Sequence, residues 1–225
     1  MAPASPATAL GSYNPALDVP GLELPPGTTL TTAGPVDGYR ALSAMSSTKT
    51  ATPLERIPQS IQVVPRSVIE DQTSISVDET VRNVSNVQSF NDLNIGNTDM
   101  AGAKIRGLKA EVWLDGMVVN YNTGDKAAFA NVERIEVLKG PSAILYGGGS
   151  GAPAGGAINI ISKLPTDKSG GEFGVTLGSH SFARPWFDIN QPLSANGTVL
   201  FRITGEYTSA DSYVDELEQD RNSIT

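Results

Sequence analysis

The 225-residue chain has no cysteine and one histidine. The missing thiols exclude disulfides, thiolate metal centres and cysteine nucleophiles. A lone imidazole cannot assemble a zinc site of the usual kind, and His180, in Gly178-Ser179-His180-Ser181, reads as part of a polar turn between strands, not as half of a Ser-His dyad. Positive charge is scarce too, with 16 Lys and Arg against 24 Asp and Glu and a net charge of -8. No basic stripe is available to displace counterions from phosphates, so nucleic acid is excluded as a partner. No apolar run approaches the ~20 residues of a membrane helix. The opening "MAPASPATALGSYNP" lacks a basic region followed by an apolar one, so the chain as it stands is expected to carry no secretory leader.

What the chain does have is glycine, proline and short β-branched runs, with 39% hydrophobic residues, enough for one or two domains with a sizeable core. Residues 1–51, rich in Pro, Ala, Ser, Thr and Gly and without a sustained period, predict an extended N-terminal tether. Ser60 to Val64 alternates as a short strand that Pro65 stops, and Pro65 to Glu70 predicts a brief helix with proline at an early position. A second helix is expected over Val77 to Val84, with Val77, Val81 and Val84 on one face; its residues are poor helix formers, so it must lean on tertiary packing. "AKIRGLKAEVWLDGMVV" predicts two strands joined by a tight turn, and "FANVERIEVLKG" a helical turn leading into a strand. This order predicts a small mixed α/β or α+β domain over residues 52–165.

"VERIEVLKGPSAILYGGGSGAPAGGAINIISK" places seven glycines, from Gly140 to Gly156, between two strand-like stretches. A phosphate-binding loop needs a Lys and then Ser or Thr directly after its last glycine, and a helix beyond. Here Ala157-Ile158-Asn159-Ile160 follows, β-branched and strand-like, so the glycines read as wide turns and sites of close backbone approach. After Pro165 the texture changes. "GGEFGVTLGSHS", "FARPWFDINQPLS" and "GTVLFRITGEYTS" predict three strands of about ten residues with an apolar and a polar face, the last two joined by a Ser194-Ala195-Asn196-Gly197 turn. Composition alone leaves open whether these belong to an outer-membrane barrel or to a soluble sandwich.

"TKTATPLERIPQSIQVVPRSVIEDQ", "KIRGL", "VWLDGMVV", "VERIEVLKGPSAILYGGG" and "GGAINIISKLP", in that order over about 115 residues, resemble the plug domain of TonB-dependent outer-membrane receptors. The first of them is most similar to siderophore receptors of the ferrichrome and hydroxamate type. The resemblance implies an α+β plug, a small mixed sheet with short helices over 52–165, seated in a barrel of about 22 strands. Residues 166–225 are then the first strands of that barrel. Only 60 residues follow Pro165, and no barrel closes with so few, so the chain is expected to be a fragment of a longer receptor. The loop from Gly149 to Ala154 is longer than the turn usual in the family.

The implied function is binding of a ferric siderophore and its import with energy supplied by TonB, at the cell outer membrane, with lipid around the missing barrel. Iron would arrive already chelated, so no cofactor, no protein metal ligand and no catalytic residue is expected. The resemblance places ligand-binding apices at Arg106 and at Asn120, Tyr121 and Asn122, whose aromatic face and amides suit a polar chelate. From the residues alone Arg106 also reads as a structural ion-pair partner of Asp115 or Glu136, and Arg134 and Lys139 as partners of carboxylates on the barrel wall. The TonB-contacting segment pairs as an added strand, and Thr28, Thr29, Leu30, Thr31 and Thr32 have its texture without its acidic start and central Val. The rival readings are a soluble β-rich carbohydrate- or protein-binding domain, and an enzyme using Asp211 and Asp215, which lie in what reads as a solvated loop.

Overall fold

Val132–Lys139 forms the spine of the domain, a strand buried along its whole length between two others. The computed structural model describes residues 34–36, 38–48, 52–88, 104–118, 129–141, 154–194, 197–211 and 218–225. In chain order the elements are α1 (Met45–Thr48), β1 (Ser60–Pro65), α2 (Arg66–Asp71), α3 (Val77–Val81), β2 (Val87–Gln88), β3 (Lys104–Ile105), β4 (Leu108–Leu114), β5 (Met117–Val118), β6 (Val132–Lys139) and β7 (Gly156–Ser162). Four further strands follow: β8 (Gly170–Leu177), β9 (Ala183–Pro192), β10 (Leu200–Asp211) and β11 (Glu218–Ile224). Short 3-10 turns lie at Leu54–Arg56 and Phe129–Asn131.

β1 to β7 make one mixed sheet in the order β1-β6-β7-β4-β3-β2, with β5 paired to β4. β6 runs antiparallel to β1 and β7, while β4 and β7 are parallel. One face is dry. Val64, Val112, Ile135, Val137, Ile158 and Ile160 meet Ile69 of α2 and Val77 and Val81 of α3 in the main core. Those helices are too short to stand alone. Ser76 caps α3 by accepting from Glu79 N, and the Glu79 carboxylate accepts from Ile75 N, a reciprocal cap that offsets the poor propensity of the valines. α3 ends at Val81, earlier than the spacing predicts, yet Val84 is still buried through the turn that follows.

Four sequence expectations need correction. The "KIRGL…DGMVV" stretch makes three strands and two turns, not two strands and one. Arg106-Gly107 has φ of 55° and 78° and Asp115-Gly116 has 50° and 82°, the twin left-handed residues of tight primed hairpin turns. The tether expected over 1–51 is folded at its end. Ser43 bridges Pro53, and Ser43, Ala44 and Ser46 are buried, although no period announces them. Beyond Pro165 there are four strands, not three, because β11 is polar up to its last residue, Ile224, and carries no apolar alternation. Asp211 is the last residue of β10 and not part of a loop; Asp215 lies outside the described residues.

β8 to β11 form a separate antiparallel sheet in sequence order, and its polarity is inverted relative to a soluble sheet. Phe173 is 90% exposed and Leu177 75%, with Val175, Ile189, Phe201 and Tyr207 on the same open side. Arg184, Asp188, Asn190, Thr204 and Glu206 are the buried ones. Trp186 lies opposite Gly174 and its ring fills the space a side chain there would need, the nearest atoms being 2.8 Å from a built Cβ. Apolar outside and polar inside is the order of a transmembrane barrel wall.

Candidate functional site

The sheet register gives the plug two ends. Lys139 pairs with Gly156 and Gly156 with Ala110, so the end of β6 and the starts of β7 and β4 lie together, with the Arg106-Gly107 turn just before β4. The opposite end holds Arg134, the Asp115-Gly116 turn and Ser162. β5 runs antiparallel to β4 and so heads back toward the Arg106 end before the chain enters 119–128. Of the predicted ligand residues, Arg106 is described and exposed; its N–H donates to Asn86 O at 2.8 Å. Asn120, Tyr121 and Asn122 lie outside the described residues, as do Thr28, Thr29, Leu30, Thr31 and Thr32.

The ion pairs expected for Arg106 are replaced by other bonds. Asp115 sits at the far end of β4 and accepts from Ser162 N at 2.8 Å and Ser162 Oγ at 2.7 Å, while Glu136 accepts from Arg134 Nε at 2.8 Å. The acceptors described for Arg134 and Lys139 lie within the plug. Arg134 Nη1 donates to Gly34 O at 2.6 Å, and Lys139 Nζ to Ser85 Oγ at 2.9 Å and Gln62 Oε1 at 3.2 Å. Burial holds the Lys139 ammonium below the usual lysine range, and the Arg106 guanidinium adds to the effect. This end of the sheet therefore presents an exposed guanidinium beside a buried ammonium whose hydrogen bonds go to neutral acceptors.

The second face of the sheet carries a polar group beside a small apolar cluster of Trp113, Leu138 and Ala157. Glu136, opposite Asn159 in the β6–β7 register, accepts from Met45 N at 3.0 Å, Ser46 N at 2.8 Å and Ser46 Oγ at 2.5 Å. Asn159 Nδ2 donates to the same Ser46 Oγ at 2.6 Å, and Asn159 Oδ1 accepts from Gly116 N at 3.0 Å. Arg134, Glu136 and Asn159 are each wholly buried. Charge with this little exposure survives only fully bonded. The sequence signal was the alternation Arg134-Ile135-Glu136-Val137, which places both charges on one side of a strand whose other side is core.

Plug and wall meet through a third set of charges. Asp188 on β9 accepts from Lys163 Nζ at 2.6 Å and from Arg202 Nε at 2.8 Å and Nη2 at 2.6 Å, and Arg202 Nη1 donates to Leu164 O at 2.9 Å. Glu206 takes Arg184 Nη2 at 2.5 Å and the backbone N of Ala130 at 2.8 Å. Burial, with Arg66 nearby, pushes the Lys163 ammonium down, and the bond to Asp188 opposes this in part. Sequence reasoning missed these residues, although the polar face of each wall strand carried them. Between α2 and the wall lies a cleft of about 340 Å³ lined by Arg66, Ile69, Glu70, Phe129, Arg184 and Trp186 among others.

Residues 53–155 match the family model of the TonB-dependent Receptor Plug Domain. The metal-pseudopaline receptor CntO of Pseudomonas aeruginosa is 33% identical over 170 residues, which cover 76% of this chain and 23% of that protein. The ferrioxamine receptor of Yersinia enterocolitica is 30% identical over 198 residues, 84% of this chain and 27% of that one. Among solved structures, the pyoverdine outer membrane receptor FpvA of Pseudomonas aeruginosa PAO1, bound to pyoverdine, superposes with a TM-score of 0.72 at 25% identity, over 86% of this chain and 28% of its own. The chain spans about a quarter of the length of these relatives.

Proposed function

The chain belongs to the TonB-dependent receptors through its plug domain and the first wall strands after it, and from that premise we propose that the receptor it builds binds a ferric siderophore at the outer membrane and imports it with energy from TonB. The single observation that carries this reading is the polarity of the plug. Arg106 stands exposed on a left-handed turn at one end of the sheet, while the chain enters past Arg134 and leaves through Lys163 at the other. A ligand on the Arg106 side and an energy-coupling segment on the Arg134 side would then act on opposite ends of one rigid sheet.

Iron comes as a finished chelate in this reading, so the protein supplies an aromatic and polar surface and no metal ligand, and it moves its ligand without transforming it. Asn120, Tyr121 and Asn122 join Arg106 in that surface, and Thr28 to Thr32 pair with TonB as an added strand. The open apolar side of β8 to β10 meets lipid. That side, with Phe173 90% exposed, also weighs against a soluble carbohydrate- or protein-binding sheet.

The test is titration of the receptor carrying this plug with ferric ferrichrome, ferric ferrioxamine, a ferric catecholate and ferric pyoverdine, alongside the iron-free forms. Saturable, iron-dependent binding of one chelate class is the expected result, together with TonB-dependent uptake of that class in cells. Absence of binding across the panel by a folded, membrane-inserted receptor would overturn the reading.

A further inference from the structure

We propose that the Arg106 end of the plug selects by charge, so that the receptor takes iron(III) chelates of net negative charge in preference to neutral ones. The inference rests on the siderophore reading above and narrows its ligand class.

The sheet register gathers the charge. Lys104 pairs with Gln88 on one side and Lys109 on the other, and Lys139 pairs with Gly156, itself the partner of Ala110, so β3, β4 and β6 meet at one end together with the Arg106 turn. Residues 85–88, 104–110, 139–141 and 154–157, which lie there, contain the four cations Lys104, Arg106, Lys109 and Lys139 and no Asp or Glu, in a chain whose net charge is -8. The opposite end is mixed: Arg66, Arg134 and Lys163 stand beside Glu70, Glu136 and Asp188. The acids next to the cationic stretches on β4 and β6 are already bonded, Glu111 to Trp113 Nε1 at 3.0 Å and Glu136 to Arg134 and Ser46. Glu55, on the chain that leads into β1, holds Arg40 at 2.6 Å.

Two of the four cations have no counter-ion among the described residues. The exposed Arg106 guanidinium has no acceptor there, and Lys139 donates to neutral groups, Ser85 Oγ at 2.9 Å and Gln62 Oε1 at 3.2 Å. One turn joins the pair, since Asn86 O, next to Ser85, accepts the Arg106 N–H at 2.8 Å. The lowered Lys139 pKa, with burial as its first cause and Arg106 as its second, is the sign of positive charge left unbalanced. An anion arriving at this end relieves both groups.

The charge of a ferric chelate follows from its donors. Three hydroxamates bring one negative charge each and cancel iron(III), which leaves a neutral core, whereas three catecholates bring two each and leave a trianion. To that rim of anionic oxygens a guanidinium offers a planar fork of charge-assisted donors. To a neutral core it offers hydrogen bonds without the ionic part, and a cationic chelate is repelled by both side chains.

The complete receptor in detergent micelles, titrated with an iron(III) tris-catecholate and an iron(III) tris-hydroxamate of similar size, tests this in low salt and in about 0.5 M salt. The tris-catecholate should bind about tenfold tighter or more, and salt should narrow the gap. Arg106→Gln should weaken the tris-catecholate about tenfold and the tris-hydroxamate about twofold or less, while Arg106→Lys, which keeps the charge, should retain most of the preference. The salt series needs no variant and decides by itself if either variant folds poorly. Equal affinity for the two chelates, or a salt-independent gap, overturns the charge assignment and leaves the siderophore reading standing. A preference untouched by Arg106→Gln, or an equal loss for both chelates, overturns it as well. Binding of no ferric chelate at all by a folded receptor overturns the inference together with the reading it rests on.

Discussion

Glu136 and Asn159 stand directly opposite each other on β6 and β7 and close on the same hydroxyl, Ser46 Oγ, from 2.5 and 2.6 Å. One carboxylate and one carboxamide thereby join three distant parts of the chain, because Asn159 also accepts the N–H of Gly116 in the β4–β5 turn. Such an arrangement has a reason in the topology. β6 and β7 are central strands, and a central strand that is apolar on both faces fixes register less well than one that carries a polar row on one face. The polar row here fixes the β6–β7 register and also selects what lies over it, since a backbone with free N–H groups satisfies Glu136 and an apolar cover does not.

The glycine after the long loop is required by sterics. Gly156 has φ of 121°, and a Cβ built on it would lie 1.9 Å from the carbonyl oxygen of Leu138, in the strand it pairs with. Backbone cannot yield as a side chain tip does. Gly156→Ala should cost about 3 kcal/mol or more in chemical denaturation. Gly140, with φ of 109° but open space around it, should cost only about 1–2 kcal/mol when changed to Ala, from the left-handed conformation alone. Equal losses at the two sites would mean that crowding at Leu138 is absent.

At the junction with the wall, Asp188 is the shared acceptor for Lys163 and Arg202, all with little exposure. Asp188→Ala leaves two cations facing each other without an anion, which should cost about 3 kcal/mol and open the 163–170 connection to protease. Asp188→Asn retains an acceptor oxygen and should cost less. Unchanged cleavage in Asp188→Ala would show that plug and wall hold together without this cluster.

Lys139 reports on the Arg106 end of the plug. Its folded pKa lies below the ordinary lysine value of 10.5, so the folded state binds fewer protons than the unfolded one. Its contribution to stability therefore increases as pH climbs through the folded pKa toward 10.5 and is unfavourable below it. Burial is the larger cause and Arg106 the second. Arg106→Ala should raise the Lys139 pKa part of the way back, measured by NMR of its side-chain carbon, and should reduce the alkaline gain in stability. A pKa that does not move would separate the two residues.

Legibility in the sequence followed the strength of local signals. β1, β6 and β7 were readable because β-branched alternation bounded by Pro and Gly has one outcome, and α3 because Val77 and Val81 recur at helical spacing. The cover over Glu136 was not readable, since Ser46 is held by a carboxylate 90 residues away in sequence. β11 was hidden for a related reason: all its residues but Ile224 are polar, and pairing with β10 places them, not their own pattern. Ion-pair partners were misassigned wherever spacing along the chain stood in for position in the sheet. Arg106 and Asp115 are near in sequence but sit at opposite ends of β4.

The ligand contact proposed at Tyr121 is open to direct test. The strand before it, β5, heads toward the Arg106 end, and a tyrosine flanked by Asn120 and Asn122 joins one flat apolar face to several donors and acceptors. That combination suits a bulky chelate with a polar rim and suits a buried sheet poorly. An aromatic residue enclosed by ligand is commonly a hot spot, so Tyr121→Ala in the complete receptor should cost about 2 kcal/mol or more, roughly thirtyfold in affinity for the ferric chelate. Affinity is to be measured together with the yield of folded barrel, because only a loss at normal yield speaks for contact. Arg106→Ala serves as the companion: if both residues face one ligand, the double variant should depart from the sum of the two single losses, as neighbours sharing a partner do. Wild-type affinity in Tyr121→Ala at normal yield would remove the 120–122 loop from the site and leave the Arg106 turn as the contact to pursue.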